Sequence, residues 1–254
     1  MKSKKIVFAN WKMNLDSGSI SNLVKDILIK IKNFDNLDTI LSTPFPYLKL
    51  VSDLIQGSKL HLSSQNVFFE DSGSYTGEIS PNMLKDVGCD WVMIGHSERR
   101  QYLLEVNEMI NRKILISTDK SLNAILCVGE SFDERRHKKT FVRISDQLRR
   151  GLRDVKDEIL PHVVIGYEPI WVIGSGAAAQ VKDIQEIHNF IHDELDSMFP
   201  GSTNLPRIVY GGSVNNLNID SIISLENVDG VLVGNASMNC ERFCDIVSKV
   251  GNSI

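Results

Sequence analysis

Short β-rich runs recur along the whole chain, and their number constrains the fold more than any other feature. Most of them begin with a nearly continuous series of apolar residues, which is typical of strands buried on both faces of a sheet. Most then turn polar or glycine-rich where the run ends. Eight such runs are present, at residues 5–12, 39–45, 60–67, 91–98, 123–130, 162–169, 207–214 and 230–237.

The segments between these runs have the spacing of amphipathic helices. One apolar stripe consists of Ile20, Leu23, Val24, Ile27 and Ile31, and a second of Val181, Ile184, Ile187, Ile191 and Leu195. Strands that alternate with helices predict a parallel sheet with crossover helices. Because eight such units fill a chain of 254 residues, we predict an α/β fold with a single (β/α)8 barrel domain over residues 1–254. An open, doubly wound sheet is the structural alternative.

Composition excludes several classes of function. The net charge is −4, with 42% apolar and 24% charged residues, so the chain has no global positive field that would attract nucleic acid. The apolar run Ile6–Ala9 is too short for the core of a signal peptide, and no apolar stretch approaches the length of a membrane span. We therefore expect a cytoplasmic protein that binds neither membranes nor nucleic acid.

Neither the cysteines nor the histidines have the spacing of a familiar metal site. The four cysteines, Cys89, Cys127, Cys240 and Cys244, include no CxxC pair, and we interpret them as reduced packing residues. His188 and His192 lie four residues apart on a predicted helix. The glutamate that a zinc protease would have beside the first histidine is replaced by Asn189. We predict no metal site.

Polar residues collect where the predicted strands end, and active sites in this kind of barrel lie at that edge. The tendency of strands to end in polar residues accounts for Gln65 and Glu130. It accounts less well for a cation, an imidazole and a carboxylate together, at Lys12, His96 and Glu168. The full set is Asn10, Lys12, Gln65, Asn66, His96, Ser97, Glu98, Cys127, Glu130, Glu168, Gly211, Gly212, Ser213, Gly234 and Asn235.

Five segments carry a resemblance to a known family: ANWKMN at 9–14, GHSERR at 95–100, GYEPIWVIGSG at 166–176, YGGSV at 210–214 and VGNAS at 233–237. In this order and spacing they resemble the triosephosphate isomerase family. The resemblance implies a TIM barrel and an aldose–ketose isomerase of glycolysis and gluconeogenesis. Such an enzyme interconverts dihydroxyacetone phosphate and D-glyceraldehyde 3-phosphate through an enediolate, without cofactor or metal.

The resemblance also implies residue roles. Glu168 matches the base, and a carboxylate becomes more basic where water is excluded. His96 matches the group that donates a hydrogen bond to the substrate oxygens; it precedes a predicted helical turn, whose positive end favours a neutral ring. Lys12 supplies positive charge, and Asn10 contacts the substrate. Glu98 matches a residue that pairs with Lys12, and a purely structural ion pair is an equal interpretation.

The phosphate is expected to bind after the last two strands, where Ser213, Gly234 and Asn235 offer donors. Gly174 would add an N–H from the apolar segment Ile170–Ala179, which we interpret as a lid that excludes water. Two features depart from the family pattern. Asn235 replaces a glycine that the family usually has, and asparagine tolerates positive φ best among other residues. Alanines at 177–179 replace a lysine-threonine-alanine hinge.

The segment at 65–80, QNVFFEDSGSYTGEIS, is long for a loop without a function. A self-packed surface loop is one interpretation. The resemblance implies the other, a homodimer in which Thr76 enters the region of the neighbour's site.

Three rival functions remain open at this point. GSGAAA at 174–179 has the form of a dinucleotide-binding turn, but the position about 20 residues later falls near Glu194, inside a predicted helix. A metal-dependent barrel enzyme such as an epimerase, and a barrel that has become a binding protein, are the others.

Overall fold

The computed structural model describes residues 4–172 and 179–253, and its strands form a closed barrel of eight parallel strands in sequence order. The last strand pairs with the first, Ile6 with Gly230 and Ala9 with Val233. This closure confirms the predicted barrel and excludes the open sheet. That residues 1–254 make a single domain stays a prediction. The strands are β1 Lys5–Asn10, β2 Leu37–Thr43, β3 Leu60–Ser64, β4 Trp91–Ile94, β5 Asn123–Val128, β6 Val163–Tyr167, β7 Arg207–Tyr210 and β8 Gly230–Val233.

The α-helices of the described residues follow the strands on the outside of the barrel. They are α1 Ser17–Lys30, α2 Leu48–Ile55, α3 Pro81–Asp86, α4 Ser97–Tyr102, α5 Asn107–Asp119, α6 Phe132–Arg136, α7 Thr140–Gly151, α8 Val181–Met198, α9 Ile219–Ile223 and α10 Cys240–Asn252. Short 3₁₀ helices lie at Phe45–Tyr47, Asp157–His162, Ile170–Val172 and Asn235–Met238. Across these residues no helix has the length and apolar character needed to span a membrane.

Both predicted apolar stripes lie on helices, with small differences at their ends. In α1 the buried residues are Ile20, Leu23, Val24 and Ile27, and Ile31 is the residue that ends the helix. In α8 four of the five stripe residues are buried, whereas Val181, the first residue of the helix, is exposed. Helix ends leave the barrel wall first, so the outermost stripe residues lose their cover.

Seven of the eight strands are shorter than their β-rich runs, because each of these runs continues into the loop that follows it. The second run is displaced instead: β2 begins before the run, at Leu37, which pairs with Lys5, and ends before the run does, at Thr43. Pro44 follows and has no N–H to donate to a sheet, so the chain turns into a 3₁₀ helix there.

The core has two layers because side chains alternate across each strand. Residues facing inward fill the barrel itself: Ile6, Phe8, Ile40, Trp91, Met93, Ile125, Cys127, Val164, Val209 and Leu232. Their neighbours face outward and pack under the helices, as Val7 and Ala9 do. The filled interior leaves the loops at the C-terminal edge as the place where a ligand can bind.

The N-terminal end of the barrel is closed by a buried ion pair. Asp38 on β2 accepts a hydrogen bond from Arg207 Nη1 at 3.1 Å and pairs with Lys4. Asp38 is 9% exposed. Burial raises the pKa of the Asp38 carboxyl, but hydrogen bonds and charges from Lys4 and Arg207 lower it by more, so its pKa lies below the ordinary value.

We predict that Asp38→Asn destabilises the fold at neutral pH and has less effect in acid. A carboxyl whose folded pKa is depressed stabilises the fold above its unfolded pKa, about 3.9, and loses that contribution as the pH falls through the folded value. The difference in unfolding free energy between parent and variant, measured with urea, should therefore shrink as the pH is lowered from 7 towards 3. Asp35→Asn is the control, because its pair with Lys59 is exposed. A difference that is independent of pH would contradict this account.

Candidate active site

A cavity of about 850 Å³ opens at the C-terminal edge of the barrel. It brings together the three residues that the sequence singled out, Lys12 after β1, His96 after β4 and Glu168 after β6. These residues are far apart in the chain, and only the closed barrel makes them neighbours. The cavity is also lined by Ser97, Glu98, Gln101, Tyr102, Phe132, Ile170, Trp171, Val172, Gly211, Gly212, Ser213, Val214, Leu232, Gly234, Asn235 and Ala236.

Lys12 lies in a backbone conformation that is uncommon for a residue with a side chain, with φ of 52°. Two side chains hold it there. Asn10 Oδ1 accepts a hydrogen bond from the Lys12 N–H at 2.9 Å, and Gln65 Nε2 donates to the Lys12 carbonyl at 3.0 Å. Lys12 Nζ lies 2.6 Å from Glu98 Oε1. The ammonium group is thus aimed into the cavity by its own backbone and held by a carboxylate at the rim.

His96 is the residue that caps the start of α4, as its position before a helical turn predicts. Its Nδ1 accepts a hydrogen bond from the Glu98 N–H at 3.2 Å. An acceptor at Nδ1 leaves the proton of the neutral ring on Nε2, which is the nitrogen that faces the cavity and Glu168. The helix start therefore selects the tautomer that can donate to a ligand.

Glu168 is 1% exposed and holds its carboxylate against the start of the same helix. The Ser97 N–H donates to Oε2 at 3.0 Å, and His96 Nε2 lies 2.9 Å from Oε1. The second contact is not a well-aligned hydrogen bond, because Oε1 has no donor in hydrogen-bonding geometry. Oε1 is therefore the oxygen that is free to accept a proton.

The contact between Glu168 and His96 sets the proton affinity of both groups. Burial raises the pKa of the Glu168 carboxyl, but the charge and contact of His96, with the Ser97 N–H and Lys12, lower it below the ordinary value. Burial lowers the pKa of the His96 ring, and the Glu168 carboxylate raises it by more. The sequence predicted that burial makes Glu168 a stronger base, and burial does raise its pKa. In the observed arrangement, however, the contact with His96 lowers the pKa by more than burial raises it.

Glycines on neighbouring strand ends make room for Glu168. A Cβ on Gly129 would lie 1.8 Å from the Glu168 carbonyl oxygen, so the loop after β5 passes directly against the backbone of Glu168. A Cβ on Gly211 would lie 3.1 Å from Glu168 Cγ. These two positions need glycine because another chain segment approaches closely, and not because of a turn.

The residues predicted to bind phosphate line one side of the cavity. Ser213 follows β7, and Gly234 and Asn235 follow β8, where a 3₁₀ helix begins at Asn235. Asn235 is exposed, and its φ is not positive. The backbone at this position therefore does not require a residue that tolerates positive φ. Gly174, and with it Ala177 and Ala178, lies outside the described residues.

Glu130 has a specific set of partners that the sequence pattern did not reveal. Its carboxylate is fully buried and accepts a hydrogen bond from Trp171 Nε1 at 2.9 Å, with the Tyr167 hydroxyl at 3.3 Å. Burial raises its pKa. Arg135 lies 3.5 Å from Glu130, stacks on the Trp171 ring at 4.3 Å and pairs with Asp183 at 3.0 Å. Glu130 thus anchors the chain where the predicted lid begins.

Arg100 is a second structural residue that sequence reasoning missed. Its guanidinium donates to the Gly95 carbonyl at 2.7 Å and to the Cys127 carbonyl at 3.1 Å. It therefore ties the loop that carries His96 to the end of β5. A signal for this role exists in the sequence only as the arginine pair after GHSE, which is equally typical of a helix surface.

The segment at 65–80 packs against itself at its base and is exposed at its tip. Phe68 stacks on Phe69 with centroids 4.2 Å apart, and Tyr75 lies 4.7 Å from Phe68. Residues 72–78, including Thr76, are exposed. Large apolar side chains elsewhere are exposed too, among them Met13, Leu103 and Leu104 on loops and Met83 on α3.

The remaining cysteines and histidines do not form a metal centre in the described residues. No group of three or more His, Cys, Asp or Glu has the geometry to hold a metal ion there. His188 is buried and bonds the Asn227 carbonyl, whereas His192 lies near the surface. All four cysteines have free thiols.

Known proteins resemble this chain over almost its whole length. The family model described as triosephosphate isomerase matches residues 5–250. The triosephosphate isomerase of Dictyoglomus thermophilum is 41% identical over 245 residues, which cover 96% of this chain and 98% of that protein. That of Thermoanaerobacter sp. is 41% identical over 244 residues, with the same coverage. That of Chloroherpeton thalassium is 39% identical over 246 residues, again 96% and 98% of the two chains.

We predict that Gly211→Ala impairs turnover more than it impairs stability. Its Cβ would press on Glu168 Cγ at 3.1 Å, so the carboxylate moves by a few tenths of an ångström. A misplacement of about 1 Å can cost on the order of 10²-fold in rate, and a smaller shift costs less, so we expect a fall in kcat of about tenfold. Gly18→Ala on α1 is the control, because the nearest atom to its Cβ is 3.6 Å away. Equal kcat in both variants would show that the gap beside Glu168 has no catalytic importance.

Proposed function

We infer the activity of this chain from its kinship: it belongs to the triosephosphate isomerase family. It is an isomerase that interconverts dihydroxyacetone phosphate and D-glyceraldehyde 3-phosphate, a step of glycolysis. Lys12, His96 and Glu168 converge on one cavity, and the roles proposed for individual residues rest on this observation. Family membership argues against the dinucleotide-binding and epimerase alternatives. The presence of Lys12, His96 and Glu168 in one cavity argues against a barrel that serves only for binding.

Glu168 is the proposed base that moves the proton between the two substrate carbons. Isomerisation requires removal of a C–H proton next to a carbonyl and its return to the neighbouring carbon. The carboxylate is already ionised in its contact with His96, and a short swing of the side chain towards the substrate would break that contact. The contacts with His96 and the Ser97 N–H, which lower its pKa, are then lost while burial remains, so the carboxylate becomes a stronger base at the moment it reaches the carbon.

His96 is the proposed donor to the substrate oxygens. When Glu168 leaves, the ring loses the charge that raised its pKa, and burial and the hydrogen bond from the Glu98 N–H favour the neutral form. The Nε2–H that had faced Glu168 then faces the negative oxygen of the enediolate. Because this donor is already in place in a buried site, it stabilises the negative oxygen without any reorganisation of its surroundings during the reaction.

Lys12 is the proposed source of positive charge for the substrate. The chain has a net charge of −4, so an anionic substrate has to be held by local groups. The ammonium group is held at the cavity by Glu98, and Asn10 fixes the backbone that carries it. We propose that Lys12 contacts the phosphate and the enediolate oxygen, while Asn10 acts at the same edge.

The phosphate is proposed to take its other donors from Ser213, Gly234 and Asn235. Backbone N–H groups at the start of the short helix after β8 suit a dianion. Gly174 is the proposed donor from the lid. The chain before it, Ile170–Val172, lines the cavity and is anchored on Glu130. Closure over the substrate would exclude water and so strengthen each of these electrostatic contacts.

The reaction as proposed needs neither a metal nor a cofactor. The proton acceptor, the oxyanion donor and the fixed cation are all side chains of this chain. We also propose that the enzyme acts in the cytoplasm, because it belongs to a family of glycolytic enzymes and its four cysteines are free thiols.

We propose a homodimer formed through the 65–80 segment. The tip with Thr76 is exposed, and so are the large apolar side chains Tyr75, Met13, Leu103 and Leu104; burial of such side chains favours association with a second copy. Because Gln65 holds the Lys12 carbonyl, pairing at this segment would also fix the cation of the site.

We predict that Lys12→Met nearly abolishes isomerisation while the protein stays folded. Loss of a group that stabilises developing negative charge typically costs about 10²–10³-fold in kcat. The assay couples glyceraldehyde 3-phosphate formation to a dehydrogenase, with EDTA present, and the parent should keep full activity in EDTA. Kinetics of Lys12→Met equal to those of the parent would show that another group holds the charge, and loss of parental turnover in EDTA would contradict the metal-free mechanism.

We predict that the parent sediments as a dimer at micromolar concentration and that Thr76→Arg shifts it towards monomer with lower activity. A charge placed in the tip of the 65–80 segment would be buried without a partner in the interface. Ser224→Arg is the control, because Ser224 is equally exposed and lies after α9. A fully active monomeric parent would rule out this interface.

A further inference from the structure

Two of the four cysteines form a pair on α10, outside the active-site cavity. Cys240 and Cys244 lie four residues apart, so both side chains leave the same face of the helix. Their Sγ atoms are 3.9 Å apart, and both are free thiols. Cys240 is partly exposed, whereas Cys244 is 7% exposed. One sulfur is thus open to a reagent, and the second lies next to it beneath the surface.

The two thiols are placed so that one atom can bond to both. Their sulfurs are 3.9 Å apart, which is a non-bonded contact, and an atom that bonds to both needs them only slightly closer. A disulfide needs Cβ atoms about 3.5–4.5 Å apart, whereas Cβ atoms one helical turn apart are separated by about 5–6 Å. An inserted atom therefore requires only a small rotation of the two side chains, whereas a disulfide would distort α10.

The pair offers two ligands. Within residues 4–172 and 179–253, no group of three His, Cys, Asp or Glu is arranged for a metal, so the four-ligand set of a structural zinc site is absent there. The ligand that fits this pair is one that needs only two bonds to sulfur. Its central atom is soft, because thiolates select soft centres, and it carries two bonds that can be exchanged for bonds to sulfur.

We propose that Cys240 and Cys244 form a dithiol site that binds trivalent arsenic carrying one non-exchangeable substituent. With an oxide R–As=O, the two S–H bonds and the As=O bond break and two As–S bonds form. The oxygen leaves as water with both thiol protons. Arsenic stays trivalent and the sulfurs keep their oxidation state, so the step needs no oxidant or reductant.

The surroundings of the pair are compatible with this chemistry. Lys30 and Asp26 on α1 and Glu241 on α10 are the charged groups that act on the thiols, and Lys30 is paired with Glu241. Burial raises the pKa of the Cys244 thiol to about 12, and burial also raises the pKa of Cys240. Both thiols are therefore protonated at neutral pH, and the oxide of the arsenical accepts the two protons.

Phenylarsine oxide is the probe for the test, used on the reduced full-length enzyme. Intact mass should show one phenylarsenic group per chain that survives excess mercaptoethanol and is removed by dithiothreitol, because only a dithiol holds it against a monothiol. Cys240→Ser and Cys244→Ser should each lose the retained group. Both should keep the isomerase activity, which shows that they fold. Cys89→Ala, which removes a buried cysteine on another part of the fold, should retain the group.

Three results would overturn the site. The first is that the wild type retains no arsenic. The second is that either serine variant still retains the group. The third is that the reduced pair forms a disulfide and takes up no arsenic. The isomerase rate provides a further check, because Cys127 lies beside Glu168 in the active site. The rate of the wild-type adduct should stay within twofold of the free enzyme. A large loss would show that the arsenic acts on the active site and would contradict the assignment.

Discussion

The contact between the Glu168 carboxylate and the His96 ring governs the chemistry of the site. It places an acid group and a base group 2.9 Å apart in a position shielded from water. While the contact exists, each group shifts the other towards its charged form. When it breaks, burial favours the neutral form of both, so one side-chain movement turns the carboxylate into a stronger base and the ring into a neutral donor. The remaining residues of the cavity hold this pair in position.

The barrel supplies that support through its strand ends. Glu168 follows β6, and the strands on either side place glycines against it, Gly129 after β5 and Gly211 after β7. Two further residues hold the surrounding loops. Arg100 ties the His96 loop to the end of β5, and Glu130 anchors Trp171. The same closure that makes the interior a filled core leaves this edge as the place where polar groups from distant parts of the chain meet.

The sequence predicted those features that repeat or that stand next to each other in the chain. Eight apolar runs predicted the strands, and two stripes predicted α1 and α8. Ten of the fifteen strand-end positions line the cavity, whereas Asn10, Gln65, Asn66, Cys127 and Glu130 are not part of its lining. It did not predict the partners of Glu130, the brace from Gln65 to Lys12, or the pair of Asp38 with Arg207. Each of these joins residues far apart in the chain, and no local pattern encodes them. The sequence also did not indicate the conformation of Asn235, because its φ depends on the loop and not on the residue type.

The roles of Glu168 are tested most directly by the kcat of Glu168→Gln and Glu168→Asp. General-base catalysis contributes about 10²–10⁴-fold, which corresponds to about 3–5 kcal/mol of transition-state stabilisation. We expect kcat of the glutamine variant to fall by at least about 10²-fold, with little change in substrate binding. The aspartate variant keeps the charge but withdraws it by one methylene, so its kcat should lie between those of the parent and the glutamine variant. A kcat of Glu168→Gln within about tenfold of the parent would be less than the smallest effect of removing a general base, and it would show that Glu168 is not the base.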